Sequence, residues 1–230
     1  MNLEPRDLAG NVSEAQLRKN HSIQHLRNLG LPVLECLPLI ETVADSLRRN
    51  LHEVSVRALA LATVAVKAEG DGFEDPDTVG SFISQLVKDF ELGSAFTPLE
   101  QAFLDSSKPT EHSRVQFTWR YECYWTLLWA LGFVPEMGEP SSMCDPATAM
   151  RIMREHGRRS FLETASLRAQ SEILDEADLI YRYHWAVVNA RLRGETVEGV
   201  DSGVVFERHY ALNWLIGYQG QDWDNISTDT

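Results

Sequence analysis

Apolar positions recur at spacings of three and four through most of this chain, the period of a helix buried along one side. The pattern is densest in the last quarter. Residues 171–194, SEILDEADLIYRYHWAVVNARLRG, and 203–224, GVVFERHYALNWLIGYQGQDWD, are apolar around most of their circumference. A helix of that kind is buried on nearly all sides. The connection 195–202 is short, so the two stretches are expected to lie antiparallel as a central hairpin.

Start and stop signals divide the rest. Ser13 and Gln16 have capping-box spacing ahead of a stripe of Val12, Leu17, Ile23, Leu26 and Leu29, and Gly30 suits the left-handed position after a helix. In 31–49 Pro32 and Pro38 forbid a continuous helix, which leaves an extended segment and turn, with room for a short strand in 31–48. Asn50 with Glu53 caps a helix that runs through Val54, Ala58, Leu61, Ala62, Ala65 and Ala68 to Gly70. GDGFEDPD is a loop by composition, followed by a helix over 78–92 with Phe82, Leu86 and Phe90 in step. Thr97-Pro98-Leu99-Glu100 is a strong start signal for a short helix ending near Asp105. An aromatic helix is expected over 111–131, a surface loop over 133–144, and a helix from Asp145-Pro146 to about His156, stopped by Gly157. Ser160 and Glu163 mark one further start before the hairpin. The pattern predicts an all-α fold of about nine helices in a single domain, 1–230, within which 13–95 could form an N-terminal subdomain.

Several charged residues interrupt the apolar stripes. Glu122 shares a face with Trp119, Thr126 and Trp129, and so needs an arginine. In the hairpin's first helix Asp178 breaks the stripe of Leu174, Tyr181, Trp185 and Val188, with Arg182 four residues on, and His184 breaks a second stripe. In the second helix Glu207 runs with Tyr210, Trp214 and Tyr218, and His209 with Val205, Leu212 and Ile216. Folding the chain back near residue 198 brings His209 about one turn from His184, so that Glu207, His209 and His184 could converge.

Three readings compete for these residues. The first is a structural network in which Arg182 or Arg208 neutralises Glu122 and Asp178. The second is a small-ligand pocket walled by Trp119, Trp185 and Trp214, with Glu122 at hand and Arg182 or Arg208 to hold an anion. The third is a hydrolase-like acid–base site drawn from Asp178, Glu207, His184 and His209, with or without a metal. Against a metal, Glu207 and His209 are two residues apart, which sets their side chains about 200° apart on a helix. His21 and His25 have i, i+4 spacing but no third ligand beside them, so no metal or other cofactor is expected.

Composition narrows the partners. The formal charge is −13, and the lysines and arginines are scattered, which disfavours nucleic acid and anionic membranes and leaves room for a basic protein partner. The first twenty residues hold no apolar run of the kind a signal peptide needs, and the longest apolar run, 58–66, is too short to span a bilayer. Cys36, Cys123 and Cys144 form no CxxC pair and are expected to be reduced thiols of a cytoplasmic protein. Cys123 has only Arg120 as a basic neighbour and reads as a packed thiol. GxSxG, P-loop, HExxH and GxGxxG patterns are all missing.

EILDEADLIYRYHWA, GVVFERHYALNWL, QDWDNISTDT and TLLWALGF, with the earlier GLP, CLPLIE and VSVRALALATVAVKAEG, resemble a bacterial family catalogued as domain of unknown function 4272. The resemblance spans nearly the whole chain and implies a small, mostly helical intracellular protein. It carries over no catalytic residues. It also leads one to expect a serine cap near position 169, where this chain has Ala169, so that Ser166 or Ser171 would have to serve. The function read from the sequence is a non-enzymatic interaction or small-ligand-binding protein, with the hydrolase-like enzyme as the alternative.

Overall fold

The computed structural model describes residues 12–70 and 75–230. They form α1 (Glu14–Asn28), α2 (Leu51–Gly70), α3 (Pro76–Asp89), α4 (Pro98–Asp105), α5 (Glu111–Thr118), α6 (Arg120–Ala130), α7 (Pro146–Thr164), α8 (Gln170–Leu192) and α9 (Ser202–Leu215). Two single 3-10 turns follow, Tyr218–Gly220 and Trp223–Asn225. No strand occurs among the described residues, and the fold is all-α. The loop at GDGFEDPD and the chain before Val12 lie largely or wholly outside the described residues.

Packing runs in sequence: α2 against α6, α6 against α9, α9 against α8, and α1 on the far side of α8. Helices α3, α4, α5 and α7 surround α2. The hairpin of α8 and α9 is thus one half of the core, and α2 with α6 is the other. Ala58, Ala62 and Ala65 are fully buried on α2, where their small side chains let α6 approach with Tyr121, Tyr124, Leu127 and Leu128. Each of those leucines stabilises the fold by roughly 1.5–3 kcal/mol through burial.

The capping signals hold at several starts. Ser13 Oγ accepts from Gln16 N at 3.2 Å, Asn50 and Glu53 bond reciprocally at 2.9 Å each way, and Thr97 with Glu100 closes a full capping box. Gly30 has φ +73°, as its place after α1 requires. At α8 neither Ser166 nor Ser171 supplies the cap. Instead Glu172 Oε2 accepts from the N–H of Ala169 at 3.0 Å. The third residue of the helix reaches back, so the start survives without a hydroxyl.

Other expectations need correction. Residues 31–49 form turns, not a strand. Their carbonyls face side chains of α1 and α8: Lys19 donates to Leu37 O at 2.6 Å, Arg18 to Glu41 O at 3.1 Å and Arg182 to Pro38 O at 3.3 Å. A backbone spent on side-chain donors has no ladder to join. On α1 the buried face carries Ala15, Arg18, Ser22, Ile23 and Leu26, while Leu17 and Leu29 are exposed. On α3 Phe82 points outward, and Val79, Ile83, Leu86 and Phe90 face the core. The aromatic helix breaks at Trp119 into α5 and α6. The stop expected at Gly157 is present as a kink within α7, where that glycine is non-helical at φ +60°. The hairpin's second helix ends at Leu215 and not near Asp224, because Gly217 turns left-handed at φ +67° and the tail folds back.

Candidate functional site

Three buried ion pairs and one histidine pair lie along α6, α9 and α8. Asp178 and Arg182 sit one turn apart on α8, where two bonds of 2.7 and 2.8 Å join them in bidentate fashion. Both are buried, and Arg182 Nη1 is left without a partner. Glu122 on α6 meets Arg208 on α9 at 2.7 Å, and its other oxygen accepts from the N–H of Cys144 at 2.7 Å. Arg208 spends its remaining donors on Gly138 O at 2.5 Å and Met137 O at 3.0 Å. That pair therefore holds the 133–144 loop against the core.

Glu207 makes the third pair. Its Oε2 accepts from Arg120 Nη1 at 2.8 Å and from the Cys123 thiol at 2.9 Å. Burial, and then the Glu207 carboxylate, push the Cys123 thiol well above the usual thiol range, so it is a protonated donor. Arg120 also lies over the Tyr210 ring at 4.6 Å. Arg120 and Cys123 were not foreseen as partners of Glu207. The only signal for them was their i, i+3 spacing on the aromatic helix.

The histidines do converge. His184 Nδ1 and His209 Nδ1 are 2.7 Å apart, with rings nearly perpendicular. Burial, then Arg191, lowers His184 to about 4, and burial, then His184, lowers His209 to about 3. Both are neutral at pH 7, so a single proton bridges them. Glu207 does not join the pair, and neither does Asp178, so the expected carboxylate–histidine contact does not form. Among the described residues no group of three or more His, Cys, Asp or Glu side chains is placed to hold a metal ion.

Two cavities flank this core. The larger, about 640 Å³, opens between α8 and the 133–144 loop. Its charged lining is Glu136, Glu139, Glu172, Asp175 and Glu176 against Arg168 and Arg208, with His25 and Tyr183 beside them. Arg168 is consumed by Trp129 O at 2.8 Å, by Val134 O and Pro135 O, and by Glu172 at 3.3 Å. Asp175 pairs with Arg18 at 2.9 Å. Tyr183 OH donates to Glu139 at 2.7 Å, with His25 Nε2 3.2 Å from the same hydroxyl. Among the described residues Glu136 and Glu176 have no hydrogen-bond or ion-pair partner. Burial raises Glu176, opposed by Arg208 and reinforced by Asp175 and Glu139.

The smaller cavity, about 460 Å³, lies between the end of α5, the end of α8 and the start of α9, and takes in Trp119, His184 and Glu207. Trp119 sits against Gly203, where an added Cβ would fall 2.6 Å from the indole. Trp185 and Trp214 line neither cavity, and Trp214 packs on Trp223 and Arg49. The pocket of three tryptophans is therefore not formed, and Arg182 and Arg208 are paired with Asp178 and Glu122 instead.

A family model matches residues 18–226. The chain belongs to the family described as Domain of unknown function (DUF4272). The match runs from within α1 to just past the final turn, so the family's extent includes all three ion pairs and both cavities. Comparison with curated proteins and with solved structures finds no match. Among the described residues no helix is long and apolar enough to cross a membrane.

Proposed function

We propose that this is a cytoplasmic, non-enzymatic interaction protein whose acidic cleft between α8 and the 133–144 loop receives a cationic group of a basic protein partner. The observation that carries the reading is an imbalance of charge. The arginines that line the cleft are spent on backbone carbonyls, Glu122 and Glu172, while Glu136 and Glu176 have no partner and Glu139 has only neutral or weakly basic ones. A carboxylate held at a cost by burial and like charge is stabilised by an arriving ammonium or guanidinium. Tyr183 and Leu179 supply an apolar wall for the stem of a lysine or arginine.

Hydrolysis has less support. Every candidate carboxylate oxygen that makes a bond goes to an arginine, a thiol or a backbone N–H, and the two histidines bond each other. A general base needs the opposite pairing.

The test is calorimetric titration of the full chain with a short arginine- and lysine-rich peptide. Binding should weaken steeply between low and high salt. The Glu139→Gln/Glu176→Gln variant should lose at least about tenfold in affinity, a little over 1.4 kcal/mol. Equal binding by that variant would sink the reading.

A further inference from the structure

The smaller cavity is separate from the acidic cleft and has a different chemistry. Its apolar walls are Trp119, Val187 and Val188 on α8, Val200 in the connection and Phe206 on α9, and the exposed side chains of Gln116, Arg191, Glu195, Thr196 and Ser202 complete its lining. Two of its polar groups are more than nine-tenths buried and lie among the apolar walls. Glu207 is 4% exposed and His184 is 8% exposed. Each has one atom committed and one without a partner. Glu207 Oε2 is held by Arg120 and Cys123, whereas Oε1 makes no hydrogen bond. His184 Nδ1 is held by His209, whereas Nε2 makes none.

We propose that this cavity is a binding site for a small, neutral, apolar-bodied molecule with a hydroxyl head. Oε1 can only accept, so the ligand must present a donor. His184 Nε2 is a donor or an acceptor according to which of the two histidines holds the shared proton. A hydroxyl gives one proton to Oε1 and accepts one from His184 Nε2, so it satisfies both atoms in the tautomer in which His209 holds the shared proton, and its binding selects that tautomer. A ketone leaves Oε1 unsatisfied, and a hydrocarbon leaves both atoms so. An ammonium gains little at Glu207, because Arg120 at 2.8 Å already neutralises that carboxylate. The volume, about 460 Å³, falls within the range of small-molecule pockets. Trp119 and Phe206 offer faces to an aromatic body.

Three probes of one shape test this on the full chain by ligand-observed NMR: 2-phenylethanol, ethylbenzene and 2-phenylethylamine. The alcohol should bind, at least about tenfold more tightly than the hydrocarbon, which lacks a group worth one buried hydrogen bond. The amine should be weaker than the alcohol. Val188→Phe fills the cavity from an apolar wall and leaves Glu207 and His184 in place, and should abolish alcohol binding while thermal unfolding stays cooperative. If none of the three binds, if the amine or hydrocarbon equals the alcohol, or if Val188→Phe leaves binding intact, the assignment is overturned. None of these results bears on the acidic cleft.

Discussion

Asp178 and Arg182 illustrate what a buried charge does in this molecule. They are paired within one helix, and Arg182 also reaches Pro38 O, so removing Asp178 leaves that arginine charged in the core without its counter-ion. Asp178→Ala should cost about 3–5 kcal/mol, whereas replacing both residues by leucine and methionine should come within a kcal/mol or two of the wild type. Urea unfolding of the two variants checks this; similar losses in both would contradict it. The histidines act through pH. With folded values of about 4 and 3 against an ordinary 6.5, His184 and His209 take up protons in the unfolded chain first. Their contribution is whole above about pH 6.5 and drains away as pH falls toward 3. Unfolding measured at pH 7 and 4.5 should show a larger acid loss in the wild type than in His184→Leu/His209→Leu.

At the scale of elements, Gly203 lets the first turn of α9 lie on the Trp119 indole. Gly203→Ala places a methyl 2.6 Å from that ring and should destabilise by roughly 1–3 kcal/mol, read as a lower melting temperature. The tail is held in a comparable way. Trp223 is buried against Tyr210 and Trp214, and Asn213 donates to Ser227 O at 2.8 Å. Ending the chain after Gly220 should lower the melting temperature by several degrees, at roughly 2–4 °C per kcal/mol for a chain of this size. Unchanged melting would contradict the docking. Helix starts were readable because caps are local: Ser13, Asn50 and Thr97 each act on a residue three positions on. Boundaries set by distant packing were not. The 31–49 segment yields its carbonyls to Lys19, Arg18 and Arg182, and the end of α9 follows from where Trp223 finds its pocket. The site divided the same way. The Asp178–Arg182 pair followed from spacing on one helix, and the histidine contact from folding the hairpin. The Glu207–Arg120–Cys123 contact joins two helices whose rotation no stripe specified.

Across the whole molecule the formal charge of −13 could attract any basic protein weakly over its entire surface. The landing site we propose is narrower: the unneutralised carboxylates of one cleft, Glu136, Glu139 and Glu176. Lining α8 are Glu172, Asp175, Glu176, Leu179 and Tyr183, one face at three- and four-residue spacing, so this surface was legible in the sequence once the core face was known. The most direct test is a map of backbone amide shifts as an arginine- and lysine-rich peptide is added to the full chain. The account predicts shifts concentrated at His25, residues 136–140 and 172–183, and their loss in Glu139→Gln/Glu176→Gln. Shifts scattered over the surface, or unchanged in that variant, would contradict it.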